Sequence, residues 1–374
     1  MTNTTSLRST VTHWLAGSAL VAVVVLAVVL NAGGGAPQPS PAGLPDAGPV
    51  TGWGLPVVRL LVDLAGFITV GMALVATRFI DVDPVAADEA LPAAGRAAAI
   101  WGGLAVLQSL LFVSEAQAEP LLSADLGSLG DLLDGLGQST EAQAMLVQAA
   151  LAASVAFAAG ISRTPAGATA TLALALAAFL PQALTGHAAT GNVLLGSTTL
   201  FLHVGAASLW VGGLAALAWA ALHGRVPLAN AIPRYSALAL WCVIAVAVSG
   251  VLNAWVRLGS FDALFNSAYG AIVLAKTVAL VVLAGFGWLH RQHTVELLRT
   301  WRRRRDIPAA APMFVGLAAV ELAVMAATVA LAVGLSRTPT PSTDGAAGQA
   351  SVSAPASAGS STAVTARSAL QSTR

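Results

Sequence analysis

The chain has 374 residues, of which 56% are hydrophobic and 9% charged, and its net charge is +1. Soluble domains carry about 25% charged residues, so a water-soluble fold of this size could not cover its own surface, and the mean hydropathy of +0.78 reads as an integral membrane protein. The near-zero charge gives no reason to expect a nucleic-acid partner, and the single cysteine, Cys242, excludes an intrachain disulfide framework, a Cys-rich zinc site and a cysteine-ligated iron–sulfur cluster.

A membrane-spanning helix needs about 20 apolar residues. Nine such segments follow in chain order: residues 13–31, 55–77, 96–114, 141–161, 166–185, 197–222, 235–256, 268–290 and 312–336. Their Leu, Val and Ala runs with Gly interruptions indicate helices, whereas a membrane barrel would show alternating segments of about ten residues. The expected fold is all-α, a polytopic transmembrane bundle of nine spans. The first segment reads as an uncleaved helix or a secretory signal. Its length and the lack of a clean cleavage site favour the helix.

Basic residues set the orientation. With the N-terminus inside, the inner segments hold Arg8, Arg78, Arg96, Arg163, Arg225, Arg234, Arg291, Arg299 and the run Arg302–Arg305. The outer side holds only Arg257 and Arg337, and loops 32–54, 115–140 and 186–196 carry no Lys or Arg. The N-terminus is therefore expected inside and the C-terminus outside. Four regions result: 1–54, the first helix and a Gly/Pro-rich outer loop; 55–185, the N-terminal spans; 186–338, a second transmembrane core; and 339–374, a Ser/Ala-rich tail read as disordered. The 115–140 loop is acidic through Glu115, Glu119, Asp125, Asp131 and Asp134.

A charged side chain inside a span costs about 2.5–3.5 kcal/mol on insertion scales, so such residues mark candidate sites. Arg59 and Asp63 stand one turn apart in the second segment. In the sixth, His203 lies about 9 Å below the outer surface, and His187 in the preceding loop can fold towards it. Neutral imidazole ligates copper and zinc. Asn253 stands near the outer end of the seventh segment. Lys276, about 10 Å deep in the eighth, and Glu321, near the middle of the ninth, are a candidate pair. Met325 shares a face with Glu321, and its thioether suits Cu(I). Each of these has an ordinary structural alternative as a packing or pairing residue. Taken together, Asp63, His203, Asn253, Lys276 and Glu321 suggest a polar cavity opening outwards. Trp210, Gly212 and Gly213 read as a helix-packing contact. The sequence has no phosphate-binding glycine loop and no His-Glu-x-x-His. No catalytic residue is assigned and an enzyme is not expected.

Several short motifs stand in order along the second half. They are Gly186-His187, His203-Val-Gly-Ala-Ala-Ser-Leu-Trp210-Val-Gly-Gly-Leu214, Arg234-Tyr235-Ser236 and Ser249-Gly250-Val-Leu-Asn253-Ala-Trp255. Tyr269-Gly270, Leu274-Ala-Lys276, His290-Arg291, Glu321-Leu-Ala-Val-Met325 and Leu335-Ser336-Arg337 follow. In these motifs, residues 186–338 resemble the CopD family of bacterial copper-resistance and copper-uptake membrane proteins, and the preceding helices fit its longer members. The resemblance implies copper handling at the plasma membrane, with import from the outer face. It makes His203, Asn253, Lys276 and Glu321 the polar core of a path. Two departures stand out: the outer loops lack Met-rich clusters, and no CopC-like soluble domain is fused, which implies a separate extracytoplasmic CopC-like copper carrier. Two other readings remain. One is a non-transporting delivery, assembly or sensing factor for a cuproenzyme such as an oxidase. The other is a haem-binding electron-transfer protein, disfavoured because no two spans place a His pair at matching depth in the outer half. No haem is expected.

Overall fold

The computed structural model describes residues 3–41, 43–80, 82–121, 126–185, 193–224, 226–301 and 310–341. These residues form helices and no strand. In chain order they are α1 (Asn3–Ala32), α2 (Gly48–Ala76), α3 (Pro84–Gln117), α4 (Leu126–Gln138), α5 (Thr140–Ile161), α6 (Pro165–Ala177), α7 (Leu180–Thr185), α8 (Val193–Leu222), α9 (Leu228–Leu258), α10 (Phe261–Asn266), α11 (Ala268–Trp301) and α12 (Ala310–Arg337). Eight stretches are long and apolar enough to cross a membrane: Gly48–Ala76, Pro84–Gln117, Thr140–Ile161, Pro165–Thr185, Leu195–Leu222, Asn230–Leu258, Ala268–Trp288 and Phe314–Arg337. They match the second to ninth expected segments. In α1 the apolar part is the shorter Gly17–Ala32. The protein is an all-α, polytopic transmembrane bundle.

Helix starts follow local capping chemistry. Asp83 accepts the Val85 N–H at 2.9 Å ahead of Pro84, so α3 begins twelve residues before its hydropathy window, with a charged first stretch that includes Asp88 and Glu89. Ser139 accepts the Ala142 N–H at 3.1 Å to start α5. Thr164 accepts the Gly167 N–H at 3.1 Å to start α6, with Pro165 next. Such caps contribute about 1 kcal/mol each. Part of the acidic 115–140 loop forms α4.

The expected span 166–185 is broken. α6 stops at Ala177, and Ala178 and Phe179 form a turn before α7 resumes at Leu180. Phe179 N–H bonds Leu176 at i−3, 3.2 Å away. Pro181 has no N–H, so the Ala177 carbonyl loses its i+4 helical donor.

α2 stands at the centre, packed on α3, α8, α6 and α12, with 67% of its apolar window buried. The corresponding windows of α9 and α11 are 11% and 17% buried, so these two helices are peripheral. Glycine sets the closest crossing. A Cβ on Gly71 would fall 1.9 Å from the Gly212 carbonyl oxygen, and a Cβ on Gly212 would fall 1.9 Å from the Phe67 oxygen. α1 lies against α12. A Cβ on Gly33 would meet Thr338 Oγ1 at 2.5 Å and Ile272 Cδ1 at 3.0 Å, so the ends of α1 and α12 and the start of α11 share one level. Nearby, Arg337 makes a two-armed ion pair with Glu115 at the end of α3.

Candidate functional site

His203 sits eight residues into the Leu195–Leu222 span, about 12 Å along α8. It is half-buried. Its Nδ1 lies 3.0 Å from Ser249 Oγ on α9, and its ring lies over Gly250, where a Cβ would be 3.4 Å from Cε1. Ser249 is 1% exposed, and its hydroxyl donates to the Ala245 carbonyl at 2.5 Å. A serine has one proton to give. With that proton on Ala245, the His203–Ser249 contact is made by Nδ1–H donating to Oγ. In the neutral ring, Nε2 then carries the lone pair. An oriented imidazole with one nitrogen anchored by a neighbour is the arrangement used in metal ligation.

Asn253 stands one turn beyond Ser249. Its Nδ2 donates to the Ser249 carbonyl at 2.9 Å. The Thr199 hydroxyl lies 3.4 Å from Asn253 Oδ1, but it lies closer to the Leu195 and Gly196 carbonyls, at 2.8 and 3.0 Å. Its single proton goes to those carbonyls, so Asn253 Oδ1 keeps accepting capacity. Acceptor lone pairs thus remain on His203 Nε2 and Asn253 Oδ1.

Lys276 is half-buried on α11, in the 269–272–276–283 register that also buries Tyr269, Ile272 and Leu283. Its ammonium acts electrostatically on His203, and the Arg257 guanidinium acts on Lys276. Lys276 is eight residues into Ala268–Trp288, as His203 is into Leu195–Leu222, so the two stand at a similar depth. Ile272 is level with Thr338, so Lys276, four residues deeper, is opposite about residue 334 of α12, some thirteen residues or about 20 Å from Glu321. The Lys276–Glu321 pair offered by the sequence is not made.

Glu321 is 6% exposed and seven residues into Phe314–Arg337. It is about 10 Å from one end of that span and about 24 Å from the other, closer to one end than the sequence suggested. It acts electrostatically on the phenol of Tyr235, which donates to the Trp210 carbonyl at 2.6 Å. Met325 is 2% exposed, one turn along α12. Trp210 is buried, Gly212 forms the crossing with α2, and a Cβ on Gly213 would lie 2.9 Å from Tyr235 Cε2. His203 and Trp210 are seven residues apart on α8, so the two polar layers are separated by about 10 Å along one helix face.

Asp63 and Arg59 are half-buried on α2, and Arg59 acts electrostatically on Asp63. His187 lies outside the described residues. No group of three or more His, Cys, Asp or Glu is placed to hold a metal ion among the described residues. The sequence reading gave no part to Tyr235 in the lower layer, and it assigned Ser249 no contact with His203. A seven-residue spacing, Tyr235–Cys242–Ser249, would have drawn one face of α9 through both.

Residues 229–335 match the family model described as Copper resistance protein D, and residues 49–197 match that of Copper resistance protein D-like, N-terminal domain. Together these regions take in more than half of the chain. His203, Trp210, Gly212 and Gly213 stand in the segment between them. The chain is similar to Copper transport protein CutJ of Bacillus subtilis (strain 168), with 37% identity over 138 residues, 35% of this chain and 26% of that protein. The match thus spans about a quarter of the relative's length. No solved structure matches. The earlier matched region reaches the helices that the sequence reading treated only as additional spans. With both of its halves matched to models of one kind, the chain belongs to the copper resistance protein D family.

Proposed function

We propose that this chain carries copper across the plasma membrane, importing it from the outer face, and so contributes to copper homeostasis or resistance. The observation that carries the reading is the Ser249-anchored His203, whose Nε2 lone pair stands inside a membrane span of a copper resistance protein D family member. Copper reaches the His203–Asn253 layer from outside, delivered by a CopC-like extracytoplasmic carrier, with His187 as an entry ligand. It then moves towards Met325 and Glu321. The Lys276 ammonium weakens cation binding beside His203, which favours passage over storage. Asp63 contributes to the polar lining from α2. An inward-moving cation gains about 2.3 kcal/mol per 100 mV, so the membrane potential supports import, and no catalytic step is required of the protein.

The test is copper accumulation in cells expressing the chain beside a His203→Ala/Glu321→Gln double variant at matched membrane levels. Wild type raises cell copper, and the double variant returns it to the vector level. Equal copper in all three would overturn transport and favour a delivery or sensing role for a cuproenzyme.

A further inference from the structure

A second polar region lies away from the His203 layer, among α3, α5, α6 and α7. Trp101 and Gln108 are seven residues apart on α3 and are 0% and 1% exposed; Gln148 on α5 is 0% exposed. Among the described residues, four of their polar atoms have no protein hydrogen-bond partner: Trp101 Nε1, Gln108 Nε2 and Oε1, and Gln148 Nε2. Buried polar groups in folded proteins are bonded almost without exception, so four in one bundle interior call for a ligand.

The register places them at neighbouring heights. Ser109 Oγ donates to the Ala142 carbonyl at 3.0 Å, and a Cβ on Gly102 would lie 3.3 Å from the Ala149 oxygen. α3 and α5 are therefore antiparallel, with Gln148 at a height between Trp101 and Gln108. The three side chains span about 10 Å along the bundle.

The broken span meets them independently. Phe179, in the turn between α6 and α7, packs on the Trp101 indole with ring centroids 4.8 Å apart. Gln182, three residues further on, donates to Gln148 Oε1 at 2.5 Å. The Ala177 carbonyl at that turn is without its helical donor because of Pro181. Interrupted membrane helices are tolerated where they are buried in protein or line a water-filled space.

The chemistry selects the occupant. The unpartnered groups are an indole N–H, two amide NH2 groups and one amide oxygen, all uncharged. Too few oxygens are available for a bare cation, and the Gln108 oxygen opposes an anion. A small neutral molecule that both donates and accepts satisfies all of them. We propose that Trp101, Gln108 and Gln148, beside the α6–α7 break, form a buried hydration site that holds a short file of water molecules. The proposal does not depend on what the protein transports.

Radiolytic hydroxyl-radical footprinting of the full chain in lipid nanodiscs tests it, because radicals formed from bound water label side chains that bulk solvent does not reach. Trp210, 5% exposed, serves as the buried reference indole. Trp101 should be oxidised several-fold faster than Trp210. A Gln108→Leu/Gln148→Leu variant should lower Trp101 oxidation to the Trp210 rate. Equal rates for Trp101 and Trp210 in the wild type would overturn the proposal without any variant. So would Trp101 labelling that persists in the folded double variant, since the glutamines would then not hold the water. A double variant more heat-stable than the wild type would point the same way, to dry polar atoms relieved by leucine.

Discussion

The Ser249 hydroxyl decides which nitrogen of His203 is offered to a ligand. It bonds the Ala245 carbonyl and receives Nδ1–H, so the outward chemistry falls to Nε2. Removing such a partner typically weakens a metal site 10–100-fold. Ser249→Ala is therefore expected to raise the copper concentration for half-maximal uptake by about tenfold, read from accumulation over a copper titration, with unchanged membrane levels. Asp46 gives a residue-scale prediction of a different kind. Its carboxylate accepts the Ser40 and Gly48 N–H groups at 2.9 and 2.8 Å, which hold its pKa below the ordinary 3.8. A depressed folded value means that the turn is supported above about pH 4 and loses that support as pH falls through the lower folded value. Protection of the Ser40 and Gly48 amides, corrected for intrinsic exchange, should fall in that acid range, and Asp46→Ala should abolish the dependence. His203 was legible because an ionisable group in an apolar span stands out by cost. Its Ser249 partner, 46 residues away, was not, because hydropathy carries no information on which helices touch. The same blindness paired Lys276 with Glu321 by chain proximity, whereas helix register separates them.

The α2–α8 crossing depends on two glycines with no room for a side chain. Gly212→Val must push α8 off the Phe67 carbonyl or bend α2. Overpacking of this kind costs about 1–3 kcal/mol, and a drop in thermal midpoint of the detergent-solubilised protein would show it. A midpoint equal to wild type would overturn this account of the crossing. Small residues after Trp210 pointed to a helix contact in the sequence; the partner, Gly71 on α2, did not appear there because a lone glycine in an apolar run has many roles. The break in 166–185 was also written in the chain, as Pro181. A window average over twenty residues smooths a single proline away. Trp101, Gln108 and Gln148 escaped notice for a related reason: uncharged polar side chains barely lower a span's hydropathy, so their cost becomes visible only when burial and partners are known.

At the scale of the molecule, the Arg337–Glu115 pair joins the end of the last helix to the end of the third across 222 positions. With side chains 23% and 33% exposed, it is neither a free surface pair nor a buried one, and its coupling should be about 1 kcal/mol. A double-mutant cycle of Arg337→Gln and Glu115→Gln, read by thermal midpoint at low and high salt, should return that coupling and show it shrinking as salt rises. Zero coupling at both would make the pair ornamental. The eight spans were legible because each must bury about 20 apolar residues in lipid. Their arrangement around α2 was not, since helices in lipid associate through shape and small-residue contacts rather than through hydrophobicity.

The pairing of α1 with α12 sets an order of assembly. Gly33 and Gly35 meet Thr338 and Arg337, and Gly334 meets Val29, so α1 docks on a helix that is made only after residue 310. Until then α1 lacks its principal neighbour while the intervening helices gather around α2. A chain interrupted before residue 310 would leave α1 unclaimed and open to intramembrane quality control. Synthesis of α12 is thereby coupled to retention of α1.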